Sequence, residues 1–538
     1  MHIEKNVCDS LIGTLLDING KTKDNKGAQL DLAKMKIRSE LHAIKSGDRS
    51  YLPPAAYTLS KKEKTELCAS LAGVKVPEGF SSNISSLVSM QNLKLVGLKS
   101  HDCHVLMQYL LPVAIRSILP KNVRYAIIRL CSFFNAIYSK VFNPSYLESM
   151  ETEIVVILCQ LEMYFPPAFF DIMVHLPIHL VREIKYCGPV HMRSSWPFER
   201  QMKTYKGYVK NLSRAEACIA EKMVYELAIE FSVELLGDMK TIGLPTSRHS
   251  GRLDGKGTIG RRNSDLSRDK WRIAPYVERH MNLLKRLIQK ANPKAIAAEH
   301  NNSFSIWFKN EVMRELQVSS SLISDRLKSL AYGPDFQATF YSGYVINCWN
   351  FYTKDQDYKS TMQNSGVSLE AEAMHFLSAK DNRSVLCKMQ YYGVIEEICE
   401  LHYSDFSVPV FCCKWDDNNN NVVHDDMGHT SMNLHKIGHK EDPYILACQA
   451  KQVFYMTDPL DKRRSIVIAP RPRYAIDEHD DNVDFEERPG LNDDVVNDVD
   501  ADDSLTYVRN DHEEGIWVNN KDGNTKRPQK RHRKTKCP

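Results

Sequence analysis

Residues 98–120 read LKSHDCHVLMQYLLPVAIRSILP. They form the stretch that decides the fold, together with CQLEMYFPPAFFDIMVHLPIHLVREI at 159–184 and GPVHMRSSWPFERQMKTYKGYVKN at 188–211. Apolar residues recur there every three or four positions, which is the period of a helix with one buried face. Several such helices joined by short connections predict an all-α bundle. The same stretch contains most of the histidines and cysteines that are candidates for chemistry.

Proline and capping residues set several helix ends. Pro112 is expected to kink the first helix of the bundle, and Asn143 followed by Pro144 is typical of a helix start. Ser60 with Glu63 is a capping box that predicts a short helix ending near residue 71. The helices predicted for a domain at 98–236 are 103–118, 123–141, 143–165, 169–185, 199–210 and 215–236. The last of these carries Ile219, Met223, Leu227 and Phe231 as its apolar residues.

The second half of the chain has a different period. From about residue 338, apolar residues alternate with smaller or polar ones, which predicts strands. Further strands are predicted at 388–403, 408–415, 452–456 and 465–469, giving a small antiparallel β domain over 338–470. Glycines and arginines at 237–272 predict a basic flexible linker, and 273–335 is predicted to be helical.

Charge separates the last part of the chain from the rest. Residues 477–514 contain 16 acids and two arginines, which predicts disorder. A basic run follows, which favours nuclear import or phosphate binding, although a solubilising tail explains it as well on composition alone. Its residues are Lys526, Arg527, Lys530, Arg531, Arg533, Lys534 and Lys536. The sequence therefore predicts a multi-domain α+β protein: an all-α helical bundle domain, then a small antiparallel β domain, then a disordered tail over 475–538.

Overall composition bears on several classes of protein. The 538 residues allow two to four domains, and a net charge of +4 points to no particular partner. The 14 cysteines form no regular framework, and no secretory signal follows Met1, so we expect reduced thiols. The sequence contains no run of 18 apolar residues, so we expect no transmembrane helix, no membrane partner and no cofactor.

Four histidines are the natural metal candidates: His101, His104, His175 and His179. His175 and His179 are four residues apart, which suits a zinc pair on a helix. However, Pro177 lies between them, and no nearby cysteine pair or acid completes a site. The alternative is that these histidines are satisfied within the core or a groove. Cys103 beside His104 suggests a nucleophile and its base, but adjacent helical residues point about 100° apart and do not face each other.

Residues 196–210 interleave cations with aromatic rings, a pattern that suits phosphate contact combined with base or sugar stacking. The alternative is an amphipathic helix with buried aromatic rings and solvated cations. The candidate DNA contacts are Arg200, Lys203, Lys206 and Lys210, together with Arg261 and Arg262 in the basic linker.

Short motifs across the chain resemble a known family. They are KSHDCH (99–104), FPP (165–167), FDIM (170–173), His175, His179, GPV (188–190), PFER (197–200), YGVIEEI (392–398), VPVF (408–411), KW (414–415) and AKQVFY (450–455). These motifs resemble two domains of unknown function found in plant CACTA-type (En/Spm) transposases. The helical one lies downstream of the catalytic core in that family. HIEKNV at 2–7 is similar to a helix at the end of the catalytic domain, which makes residues 1–46 a remnant of that domain.

The resemblance implies DNA transposition by an RNase H-like core, in which three carboxylates hold two metal ions. Glu4 is a candidate for the last of these acids, while the alternative is a solvated glutamate on an amphipathic helix. The other two acids would lie upstream of Met1, so we expect no transposase activity from this chain alone.

Three functions follow as expectations. The first is a transposon-derived accessory module that contacts DNA or transposase partner proteins and has no activity of its own. The second is a domesticated nuclear protein that binds DNA or other proteins, and the third is a subunit of a metal-dependent nuclease. Because the resemblance implies work on chromosomal DNA, we expect a nuclear location.

Overall fold

The computed structural model describes residues 2–139, 141–193, 196–236, 279–284, 293–318, 323–335, 337–347, 349–376, 384–417, 421–440, 442–470 and 506–519. The linker expected at 237–272 lies outside these residues. Helices dominate the first half and antiparallel sheets the second, so the fold is α+β.

The helices are α1 His2–Leu15, α2 Lys26–Met35, α3 Lys61–Ala72, α4 Ser100–Val105, α5 Leu111–Ala114, α6 Lys121–Ile137, α7 Pro144–Tyr164, α8 Ile172–His175, α9 Pro177–Cys187, α10 Val190–Arg193, α11 Trp196–Tyr208, α12 Ala215–Leu236, α13 Pro293–Val318, α14 Asp325–Tyr332 and α15 Lys354–Lys359. None of the helices in the described ranges is both long and apolar enough to cross a membrane.

The strands of the first half form two short hairpins, which are β1 Ile44–Ser46 with β2 Arg49–Leu52 and β3 Val88–Ser89 with β4 Lys94–Leu95. Those of the second half are β5 Ala338–Tyr341, β6 Gly343–Ile346, β7 Trp349–Tyr352, β8 Gly366–Phe376, β9 Ser384–His402, β10 Ser407–Asp416, β11 Val423–His424, β12 Thr430–Met432, β13 Ile437–Gly438, β14 Tyr444–Leu446, β15 Lys451–Gln452, β16 Phe454–Thr457 and β17 Ser465–Ile468.

Local capping explains where several helices begin. The predicted capping box is confirmed, because the Ser60 hydroxyl accepts from the Glu63 amide while the Glu63 carboxylate accepts from the Ser60 amide. Asn143 caps α7 through the amide of Ser145, and Pro144 occupies the first turn as predicted. These ends were predictable because they depend on residues only a few positions apart.

Two predicted helices are broken in the structure. The helix expected at 103–118 is divided into α4, a π-helical turn at Leu106–Leu110 and α5. Pro112 lacks the amide hydrogen that an α-helix needs, and the π turn absorbs this disruption. The helix expected at 169–185 begins later, at Ile172, because Asp171 caps α8, and it is interrupted at Leu176 before Pro177 begins α9.

The core of the first half is continuous from α1 to α9. Val7, Leu11 and Leu15 of α1 are buried in it, as the four-residue spacing of the sequence requires. Residues 2–15 therefore pack in the same core as α4–α7. Phe454 and Ile466, from β16 and β17, are buried in this core as well, so the helical and β-rich halves meet through shared apolar contacts.

Antiparallel sheets make up the β-rich half. One sheet runs in the order β13-β10-β9-β8-β15, with β5 paired to β9 and β14 to β10. A second runs β11-β12-β17-β16. Between Cys412 and Cys413 the register of β10 against β9 shifts at a β-bulge. Cys413 is buried and Cys412 is half-buried, as expected for neighbours on opposite faces of a strand.

The expectation of disorder over 475–538 is wrong for residues 506–519. The final strand, β18 Ile516–Asn519, pairs antiparallel with β2. Upstream of it, the Ala56 amide donates to the carbonyl of Tyr507 at 2.8 Å. Arg509 is buried, and its guanidinium donates to Glu63 at 2.6 Å. The residues of this segment make these contacts. The average composition of the tail did not indicate them, because the residues around this segment are rich in acids.

Candidate functional site

Glu4 lies at the centre of a buried polar cluster. Its side chain is 2% exposed, and its carboxylate accepts from Nδ1 of His104 at 2.9 Å and from Nε2 of Gln108 at 3.0 Å. Tyr138 also hydrogen-bonds to Glu4, and burial together with this carboxylate raises the pKa of the phenol. The cluster joins α1 to α4, to the π-helical turn and to the end of α6.

The alternative interpretation, in which Glu4 is a solvated glutamate on an amphipathic helix, is therefore wrong. A carboxylate is costly to bury unless it is paired and hydrogen-bonded, and Glu4 satisfies this condition. The same bonds hold His104 in place, because its ring faces Glu4 and contacts the ring of Tyr138 with a centroid separation of 4.6 Å. The arrangement fixes helices to one another.

Cys103 has a partner other than His104. Its thiol and that of Cys8 are fully buried and hydrogen-bond to each other. This bond and burial raise the pKa of the Cys8 thiol well above its ordinary value. A buried thiol with a raised pKa, such as that of Cys8, is a poor nucleophile, and the two fully buried side chains fill apolar space between α1 and α4.

The four histidines form two separate pairs. His101 bonds to the carbonyl oxygen of Phe80 at 2.9 Å, and its ring lies 6.1 Å from that of His104. His175 and His179 are exposed, with their Nε2 atoms 3.2 Å apart. Within the described residues, no group of three or more His, Cys, Asp or Glu side chains could hold a metal ion.

Helix α11 carries the cations expected to contact DNA. Lys203 and Lys206 are exposed on one face of the helix, and Lys210 is exposed just beyond its end. Phe198 is 72% exposed, whereas Tyr205 and Tyr208 are half-buried. Among these three aromatic side chains of α11, the two tyrosines are therefore partly covered by the protein, whereas the phenylalanine faces solvent.

The hydroxyl of Tyr208 joins α11 to α12. It donates to Oε2 of Glu226 at 2.6 Å, and this bond raises the pKa of Tyr208 to about 12. Beyond this bond, α12 departs from expectation. It has the predicted bounds, but Leu227 and Phe231 are exposed instead of packed in a bundle. Helical periodicity locates an apolar face but does not show what covers it.

Several candidates lie outside the described residues or side chains. Arg261, Arg262 and the basic run are outside the described ranges, and so is the side chain of Arg200. The run consists of Lys526, Arg527, Lys530, Arg531, Arg533, Lys534 and Lys536.

Sequence reasoning missed a second buried charged cluster, which connects the two halves of the chain. The Arg116 side chain is 7% exposed and pairs with Asp425 and with Asp458, at 3.2 Å for the latter. Burial alone raises the pKa of the Asp425 carboxyl, but hydrogen bonds from His429 and Arg116 outweigh burial and hold it well below its usual range. A sequence separation of some 300 residues leaves no local signal for these pairs.

Two segments of the chain match known family models. Residues 137–249 match a domain of unknown function, DUF4218, and residues 399–467 match another, DUF4216. No curated protein and no solved structure matches the chain significantly. The first segment includes the exposed α11–α12 hairpin, and the second includes strands from the two larger sheets of the β-rich half. The chain thus carries two domains of unknown function that are typical of plant transposase-derived proteins.

Proposed function

We propose that this is a transposon-derived protein, related to the C-terminal part of CACTA-type (En/Spm) transposases, that acts as a DNA-contacting accessory module with no catalytic activity. The observation that carries the proposal is the row of exposed lysines on and after α11. Exposed cations on a helix that also carries an exposed aromatic ring suit contact with phosphates and bases. The pair of domains of unknown function supports the transposon origin.

Glu4 supports the non-catalytic part of the proposal. It is the residue that resembles a catalytic acid, yet its carboxylate is bound to His104 and Gln108 inside the helical core. A two-metal site needs several carboxylates with oxygens free to bind the ions. In this chain Glu4 acts instead as a structural acceptor.

Replacing Lys203, Lys206 and Lys210 together with glutamine is expected to weaken binding to duplex DNA at least tenfold at low salt. The slope of log K against log salt is negative, and each lost phosphate contact reduces its magnitude by about 0.9. The magnitude should therefore fall by roughly 2.7 in the triple variant. Fluorescence anisotropy with a labelled duplex across a salt series measures both quantities.

A matched control removes the same charge elsewhere. Lys436, Lys440 and Lys462 are exposed in the β-rich half, and their replacement with glutamine should leave the slope nearly unchanged. An equal loss in both triple variants would mean that only net charge attracts DNA. Absence of binding by the unaltered protein at low salt would refute the DNA-contact proposal.

We also propose that the protein is nuclear, because residues 526–536 are strongly basic and the proposed origin implies work on chromosomal DNA. Deleting residues 526–536 from a fluorescently tagged protein should reduce nuclear accumulation severalfold in plant cells. The control deletes residues 491–501, a stretch of equal length without lysine or arginine. Unchanged accumulation after the first deletion would count against nuclear import through this run.

A further inference from the structure

Helix α12 presents an unusual apolar stripe to solvent. Val224, Leu227 and Phe231 are 65%, 61% and 66% exposed, and Ala220 precedes them on the same face. A stripe of large apolar side chains on one long helix is typical of an interaction surface. We propose that this stripe, Ala220-Val224-Leu227-Phe231, binds a basic amphipathic helix of another protein.

The spacing of the stripe residues predicts how a partner helix binds. The stripe residues are separated by four, three and four positions, which is the alternation of the two apolar positions in a coiled-coil heptad. A partner helix with the same alternation fits side by side against it, with its apolar residues between those of α12.

The protein's own hairpin leaves the stripe uncovered. Helix α12 contacts α11 through Glu226, which receives the hydroxyl hydrogen bond of Tyr208. At 3.6 residues per turn, Glu226 lies about 130° around the helix from the centre of the stripe. Docking of a partner therefore leaves the α11–α12 contact intact and the lysines of α11 free.

The acidic residues of α12 favour a partner helix with basic residues. Five of the six charged residues of α12 are acids, namely Glu216, Glu221, Glu226, Glu230 and Glu234, and the sixth is Lys222. Glu216 and Glu221 are exposed and occupy heptad positions that flank the stripe. A second copy of α12 would bring acid against acid, which costs stability. Lysines or arginines flanking the partner's apolar residues meet opposite charge instead.

Two synthetic helical peptides test the proposal against the full-length protein. Both carry leucine at the two apolar heptad positions, and the flanking positions are lysine in one and glutamate in the other. We expect the lysine peptide to bind at least tenfold more tightly in isothermal titration calorimetry, with the difference narrowing as salt rises. Replacing Leu227 and Phe231 with serine should weaken its binding more than tenfold, because two large apolar side chains would no longer be buried against the peptide.

A control variant removes apolar surface elsewhere. Tyr358 and Leu460 are similarly exposed in the β-rich half, and their replacement with serine should leave peptide binding unchanged. Far-UV circular dichroism verifies that both variants keep their helix content. DNA binding should also be unchanged by the Leu227 and Phe231 replacements, which separates this proposal from that for the α11 lysines.

Three results would overturn the proposal. The first is no binding of the lysine peptide, and the second is equal binding to the protein with and without the stripe replacements. The third is sedimentation showing a dimer of the full-length protein that the stripe replacements dissociate, because a second copy would then be the occupant.

Discussion

Replacing Glu4 with alanine is expected to destabilise the folded protein by about 3–5 kcal/mol, because two or three buried hydrogen bonds to a charged group are lost and each contributes about 1.5–3 kcal/mol. His104 and Gln108 lose the oxygens at 2.9 and 3.0 Å, and the phenol of Tyr138 loses its bond as well. Urea unfolding followed by far-UV circular dichroism measures the loss, since these residues join helices.

Two comparison variants make the Glu4 prediction specific. Glu66 is exposed on α3, and its replacement with alanine should change the free energy of unfolding by less than about 0.5 kcal/mol. Glu4→Gln keeps one acceptor oxygen and should cost less than Glu4→Ala. If Glu4→Ala were as stable as the unaltered protein, the carboxylate would not be the structural acceptor inferred from its contacts.

Replacing Arg116 with alanine is expected to loosen the contact between the two halves of the chain. The substitution leaves the buried Asp458 and the half-buried Asp425 without their cation, which costs about 3–5 kcal/mol. Hydrogen exchange measured by mass spectrometry should show lost protection in β16 and β17, whose apolar residues are buried in the helical core, and in β12, which pairs with β17. Protection in the pairing of β9 with β10 should be retained.

Arg463 provides the control for Arg116, because it belongs to the turn between β16 and β17 but is largely exposed and pairs with Asp461. Its replacement with alanine should leave exchange in β16 and β17 unchanged, since exposed ion pairs contribute little. Equal loss of protection in both sheets after Arg116→Ala would indicate global unfolding instead of a separation at this contact.

Acid should reduce the effect of Arg116→Ala. The pKa of Asp425 is lowered in the folded protein, so its contribution to stability is present above the unfolded value of about 3.9 and is lost as pH falls below it. The variant lacks one of the bonds that lower this pKa. The difference in unfolding free energy between the two proteins should therefore be largest near neutral pH and narrow below about pH 4.

The elements predicted from sequence are those that depend on neighbouring residues. The bounds of α12, the start of α7 and the capping box of α3 follow from spacing and from one or two residues at each end. Long strands such as β9 and β10 were also predictable, because both are rich in β-branched and aromatic residues.

The contacts between distant residues could not be predicted in this way. Glu4 and Gln108 are 104 positions apart, and Arg509 and Glu63 are 446 apart. Periodicity predicts that a helix has a buried face, but many partners satisfy that requirement equally well. For residues 506–519, the apolar runs at 507–508 and 516–518 were a usable signal, which the acidic composition of the surrounding tail outweighed.

The bounds of the two matching segments also bear on which residues the chain needs in order to fold. The segment matching DUF4218 begins at Ile137, the last residue of α6, and so omits nearly all of α6, which packs with α7 in one core. The segment matching DUF4216 begins within β9 and ends within β17, and it omits β8. Sequence similarity recurs over stretches that cut through shared cores. A polypeptide limited to either segment would expose apolar residues that the whole chain buries, so the folded body is larger than either segment and includes residues that neither family describes.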